Sequence, residues 1–201
     1  NEIINILKKP SKSDIELISR AFDFAKQAHE GQKRFSDEPY FAHPFETAKT
    51  LAHLKLDAKA IAAGLLHDVY EDTGITDKQL KIEFGEEISF LVDGVTKLGT
   101  LKYRGEERQV ENLRKMFLAM AKDIRVVLIK LADRLHNMKT LEHVPEEKQK
   151  RIALETLEIF APLANRLGMG EFKGELEDLA FIYAYPEDYK KMTELLKEKR
   201  E

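Results

Sequence analysis

The segment His67-Asp68-Val69-Tyr70-Glu71-Asp72 puts four side chains able to bind a metal or carry a proton within six residues. Read as helix at ~100° per residue, His67 shares a face with Glu71, and Asp68 with Asp72, so the four fan over about 140° of one helix end. Three carboxylates so close repel one another and lose hydration if enclosed. A divalent cation is the simplest compensation. A second segment supplies Asp133, His136, Asn137 and Thr140 at i, i+3, i+4 and i+7, one polar stripe on an otherwise apolar helix. A stripe of that kind inside a bundle needs a partner, because buried polar groups are costly when unsatisfied. His43, just before Pro44, is a third source of nitrogen. Two His and two Asp without sulfur suit Mn²⁺, Fe²⁺, Co²⁺ or Zn²⁺, the oxygen share favouring Mn²⁺. Four protein ligands on a six-coordinate metal leave positions for water and a substrate oxygen, as hydrolysis requires.

The elements that must position these groups read almost entirely as helices. Ile15, Ile18, Phe22, Ala25 and His29 follow helical spacing. Ser13 with Glu16 is the expected capping box of that helix, and Gly31 its stop. Pro44 opens a second helix to about Leu54. Asp57 caps a third that is expected to run through His67 and Asp68 to about Tyr70, ended by Thr73-Gly74. Thr76 with Gln79 is another capping box, Gly85 closes that helix, and Glu86 to about Gly94 forms the next. The polar stretch from Gly99 to Gln109 reads as a mobile loop whose Lys102 and Arg104, like Lys97 before it, could reach phosphates. A helix from about Val110 to Ala121 follows. Asp123 caps a helix that is apolar on almost all sides from Val126 to Leu131, which belongs at the centre of a bundle. Pro145 starts a long helix that Pro162 should kink or end near Leu163. Gly168 and Gly170 mark a turn before a helix to about Ile182, and Pro186 opens the last. The pattern is all-α and a single domain.

Composition narrows the function classes. The 201 residues are 43% hydrophobic and 34% charged, a mix that excludes a disordered chain and a membrane-embedded one. There is no cysteine, hence no thiol nucleophile, Cys-bound zinc or iron–sulfur cluster; this fits a reducing cytoplasm, the expected location. Lys plus Arg is 33 and Asp plus Glu 36, a net charge of −3, so general nucleic-acid binding is not expected. No apolar run approaches the ~20 residues of a membrane span, and the N-terminus has no signal core. The first residue is Asn, not Met, which reads as a piece of a longer protein.

The order His43 … His67-Asp68 … Asp133 resembles the HD superfamily of metal-dependent phosphohydrolases. The likeness extends through Gly31-Gln32-Lys33-Arg34, Glu38-Pro39-Tyr40, His43-Pro44, the 64–69 and 71–73 segments, Phe84-Gly85, the 91–98 and 112–116 segments and the block 122–138. Together these resemble the N-terminal hydrolase domain of bacterial Rel/SpoT (RSH) enzymes over about Ala21 to Tyr189. The resemblance implies an HD bundle of about ten helices, with a core from about residue 14 to 185. Residues 186–201 would then lead toward a synthetase domain absent here. It implies Mn²⁺-dependent removal of the 3′-pyrophosphate from (p)ppGpp, giving GDP or GTP and pyrophosphate. By motif match His43, His67, Asp68 and Asp133 become metal ligands, and Glu71 and Asp72 the acidic pair that handles the attacking water. Lys33 and Arg34 become substrate-binding, with Arg34 covering the guanine, and Asn137 and Thr140 line the nucleoside pocket. The implied partners are the guanine nucleotide and the synthetase and regulatory domains of a parent enzyme. Phe35, Tyr70 and Asn165 depart from the family pattern, and the first two could alter base packing. The alternatives are another HD-type nucleotide phosphohydrolase, which would release orthophosphate, and a catalytically silent regulatory HD module.

Overall fold

The computed structural model describes residues 2–99 and 106–198. The chain folds through α1 (Glu2–Ile6), α2 (Lys12–Ala28), α3 (Ala42–His53), α4 (Ala58–Leu66), α5 (Val69–Asp72), α6 (Asp77–Gly99), α7 (Glu106–Lys122), α8 (Ile124–Lys139), α9 (Glu146–Glu155), α10 (Ala161–Arg166), α11 (Gly170–Ala184) and α12 (Pro186–Glu198). Among the described residues the one β feature is an isolated bridge between Lys33 and Pro39. The all-α expectation is met. No described helix is long and apolar enough to cross a membrane.

Local signals set most helix ends. Asp57 accepts from Ala60 N at 2.8 Å and starts α4, as expected. Thr76 and Gln79 bond each other's backbone N–H reciprocally. The first capping box lies two residues earlier than expected. Ser11, not Ser13, is the N-cap, with extended φ/ψ and a side chain that accepts from Asp14 N, while Asp14 accepts from Ser11 N. Ser13 is already helical, and only Ser11 has the non-helical backbone that a cap requires. Gly85, at φ 82° and ψ 171°, breaks α6 into two helices where the sequence placed a stop. Of the expected 99–109 loop, Gly99 is the last residue of α6 and 106–109 are already helical in α7; the rest, with Lys102 and Arg104, lies outside the described residues.

Pro162 does not end its helix. Residues Thr156–Phe160 form a π turn that joins α9 to α10, with Ala161 N–H bonded to Thr156 O. The widened turn just before the proline absorbs its missing donor and its ring, so the helix continues to Arg166.

The core runs through α2, α3, α4, α6 and α8, and α9, α10 and α11 close one side. Helix α4 is buried from Ala60 to Leu66. A Cβ at Gly64 would sit 2.4 Å from Leu51 Cδ1, so glycine is what lets α3 and α4 approach. Helix α8 buries Val126, Val127, Ile129, Leu131, Ala132, Leu135 and Met138, each worth roughly 1–3 kcal/mol of transfer energy for the larger side chains. Asp133 is buried in the middle of that row at 3% exposure.

Candidate metal centre

Three elements that pack on one another bring the cluster together: the start of α3, the end of α4 and the middle of α8. His43 is the second residue of α3 and buried. The expected continuous helix through His67 to Tyr70 does not form. Helix α4 stops at Leu66, His67 donates its Nδ1 proton to the Gly64 carbonyl at 2.8 Å, and Asp68 takes φ −95°, ψ −4°. The Asp68 carbonyl then accepts from both Glu71 N and Asp72 N, which starts the one-turn α5. Tyr70 ties α5 to α6 through its hydroxyl, which bonds Ser89 and Asp77.

One ligand atom each from His43, His67 and Asp133 lies within 4.8 Å of the others. His43 Nε2 is 3.1 Å from Asp133 Oδ1 and 3.5 Å from Asp68 Oδ2. His67 Nε2 is 3.1 Å from Asp68 Oδ1 and 3.8 Å from Asp133 Oδ1. Three of the four expected ligands, His43, His67 and Asp133, form one group, and Asp68 lies against both of its histidines.

Proton placement follows from the neighbours. A carbonyl only accepts, so the His67 Nδ1 carries hydrogen and Nε2 is the nitrogen turned to the carboxylates. That buried Nε2 has no hydrogen-bond partner. Arg34 only donates, so His136 Nδ1, 3.1 Å from Arg34 Nη1, must accept. His43 Nδ1, 2.8 Å from the same His136 nitrogen, therefore carries hydrogen, which leaves His43 Nε2 bare toward Asp133. Two imidazole Nε2 atoms and two carboxylates crowd together here. A cation fits this donor set and would be held by His43, His67, Asp68 and Asp133.

Without an ion, the His67 Nε2 takes up a proton instead. Burial opposes charge on His67, but Asp68 and Asp133 outweigh it and push the ring up to about 9. A proton there does the cation's work. Burial keeps the His43 pKa low, and burial, His43 and Arg34 drive His136 down to about 3. Burial would raise Asp133, yet Lys130 and the two imidazoles hold it well below the carboxylate range. Lys130 Nζ is 2.7 Å from Asp133 Oδ2.

Of the expected acidic pair, Glu71 reaches the end of α6: a Cβ at Gly99 would lie 3.2 Å from Glu71 Oε1 and 3.5 Å from Lys130 Nζ. Burial raises the Glu71 pKa, Lys130 opposes, and Asp68 and Asp72 add to the rise. Asp72 accepts from the Tyr40 hydroxyl, which also contacts Asp68 Oδ2 at 3.0 Å. Arg34 lies across α8, donating to Asn137 Oδ1 at 2.7 Å, and Asn137 Nδ2 donates to Asp133 Oδ1 at 2.6 Å. Thr140 donates back to the His136 carbonyl, which leaves its oxygen to accept. Lys33 pairs with Asp37 on the exposed loop, 3.2 Å away, and is the one expected site residue whose described contact lies off the cluster. Beside Asp133 opens a cavity of about 300 Å³ lined by Arg34, Lys130, Arg134 and Arg151 against Asp133 and Glu155.

Sequence reasoning missed Lys130 and Tyr40. Lys130 stands one turn before Asp133 on the same stripe and could have been read from that spacing. Nothing in the spacing of Tyr40, three residues before His43, marks it.

Comparison with known proteins supports the same picture. The chain is 57% identical over 185 residues to a Synechocystis protein named probable guanosine-3′,5′-bis(diphosphate) 3′-pyrophosphohydrolase, covering 92% of this chain and 24% of that protein. It is 50% identical over 190 residues to the bifunctional (p)ppGpp synthase/hydrolase SpoT of Escherichia coli, covering 94% of this chain and 27% of that one. The chain thus spans about a quarter of the length of these relatives. A solved structure described as a metazoan ortholog of SpoT that hydrolyzes ppGpp aligns with a TM-score of 0.60 at 26% identity, covering 86% of this chain and 96% of that one. A family model for the HD domain matches residues 21–170. That stretch holds His43, His67 and Asp133, which the fold groups together, and Asp68 beside them, and the chain belongs to the HD domain family.

Proposed function

We propose that this chain hydrolyses the 3′-pyrophosphate of (p)ppGpp to GDP or GTP and pyrophosphate with Mn²⁺ as its metal. The observation that carries the reading is the buried group of His43, His67 and Asp133, with Asp68 against both imidazoles, next to a cavity in which cations outnumber carboxylates. A nitrogen- and oxygen-rich set without sulfur fits Mn²⁺. The relatives' names supply the nucleotide.

A divalent ion held by His43, His67, Asp68 and Asp133 would supply Lewis acidity and ease the loss of a proton from the attacking water. Glu71 takes the proton of that water, its basicity raised by burial. Asp72 orients the same water. Lys130, Arg134 and Arg151 draw the substrate's phosphates into the cavity. Arg34 leaves Asn137 and His136 to cover the guanine, which frees the Asn137 carbonyl oxygen for the nucleoside, and Thr140 offers an acceptor beside it. Lys33 meets the outer phosphates once released from Asp37. In the longer enzyme, synthetase and regulatory domains are the partners of this one.

The test is product analysis. Purified protein given ppGpp and Mn²⁺ should release GDP and pyrophosphate in equal amounts. Orthophosphate would point to another HD phosphohydrolase, and intact ppGpp to a silent module.

A further inference from the structure

Asp72 is gripped at two points by the segment between α2 and α3. Its carboxylate accepts from the Tyr40 hydroxyl, and its backbone carbonyl accepts from Gln32 Nε2 at 2.7 Å. The same Tyr40 hydroxyl lies 3.0 Å from Asp68 Oδ2. One phenol proton therefore serves two carboxylates, one from the metal cluster and one from α5. Without it, two anionic oxygens would face each other and turn apart.

The phenol is itself fixed. The Tyr40 ring stacks on buried His29 with centroids 4.7 Å apart and planes 19° from parallel, and it meets His43 edge-on at 6.4 Å. Tyr40 N donates to the Gln32 carbonyl at 2.9 Å. His29 Nδ1, 2.8 Å from Gln32 Oε1, holds the amide so that its NH₂ points to Asp72. His29, Gln32 and Tyr40 form a bracket around the turn that carries Asp72.

We propose that Tyr40 is a positioning residue: its hydroxyl sets the carboxylate of Asp72 against that of Asp68, and so aligns the water-orienting group with the metal cluster. The inference rests on the role given to Asp72 above.

The experiment compares Tyr40→Phe, Asp72→Asn and the double variant as Mn²⁺-loaded proteins on ppGpp, with Mn²⁺ affinity measured separately by titration. Tyr40→Phe should lower kcat by about 10–100-fold, the usual effect of losing a group that orients ligands, and leave KM within about threefold. Added to Asp72→Asn it should cost no more than about twofold further, because the group it positions is gone. An unchanged kcat, or losses that multiply in the double variant, would overturn the inference. If the unsubstituted protein releases no pyrophosphate, the functional reading fails, and the titration decides alone. Tyr40→Phe then raises the Mn²⁺ Kd about tenfold through Asp68 if the inference holds, and leaves it unchanged if it does not. Should Tyr40→Phe not fold, Gln32→Leu removes the second grip; a reduced kcat supports the bracket and a parental one overturns it.

Discussion

Replacing Lys130 with Met should destabilise the metal-free protein far more than the Mn²⁺-loaded one. The Lys130 ammonium is 2.7 Å from Asp133 Oδ2, and the two side chains are 14% and 5% exposed. Removing it leaves a buried carboxylate with one amide donor, Asn137, and two imidazoles. Breaking a buried pair in this way costs about 3–5 kcal/mol. In a chain of this size each 1 kcal/mol moves Tm by about 2–4 °C, so metal-free Tm should fall by about 6–20 °C. Methionine keeps the apolar stem, so little of the loss is packing. A divalent ion compensates the same carboxylate. Saturating Mn²⁺ should therefore restore most of the deficit and raise Tm more in Lys130→Met than in the parent. Thermal unfolding followed by circular dichroism, with and without Mn²⁺, reads both shifts. An unchanged metal-free Tm would refute the electrostatic role of Lys130. Equal Mn²⁺-induced shifts in the two proteins would refute the idea that ammonium and metal serve one carboxylate.

Three further outcomes follow from the site. Glu71→Gln keeps shape and removes the base, so turnover should drop ~10²–10⁴-fold with metal content unchanged by elemental analysis; lost metal would make Glu71 a ligand instead. Arg34→Ala should weaken ppGpp binding by about 1–3 kcal/mol, the scale of stacking one base, while Mn²⁺ stays bound, and an unchanged KM would count against it. A proton on His67, held up to about 9, occupies the nitrogen that the metal needs, whereas His43 is already neutral. Mn²⁺ affinity should thus rise about tenfold per pH unit below pH ~9 and flatten above it, and a flat profile in calorimetric titrations at several pH values would contradict this.

Much of this site is visible in the sequence because its chemistry is concentrated. His67-Asp68 and the stripe on α8 carry polar groups where apolar ones would otherwise pack, and that conflict marks a site without knowledge of the fold. The long apolar period of α8 fixed its central place as well. What the sequence hid is set by long-range contacts. The break between Leu66 and Val69 depends on a ring-to-carbonyl bond at Gly64, which helical periodicity cannot register. Pro162 reads as a kink or an end, and the sequence does not choose between them because the π turn that accommodates it leaves no compositional trace. Ser11 and Ser13 offer equivalent side chains, and only the backbone entering the helix decides between them. Tyr40 gains its place from a loop that folds back across more than thirty residues to Asp72.

The most direct test of a metal-dependent ppGpp hydrolase centred on His43, His67, Asp68 and Asp133 is metal restoration. The purified protein is stripped with a chelator, and Mn²⁺ is returned stepwise while pyrophosphate release from ppGpp and bound Mn²⁺ are measured together, alongside His67→Ala. Release should be absent from the stripped protein, rise in proportion to occupancy and level off at one ion per chain, with His67→Ala silent throughout. Pyrophosphate release from the stripped protein, or from His67→Ala at parental rate, would contradict the account.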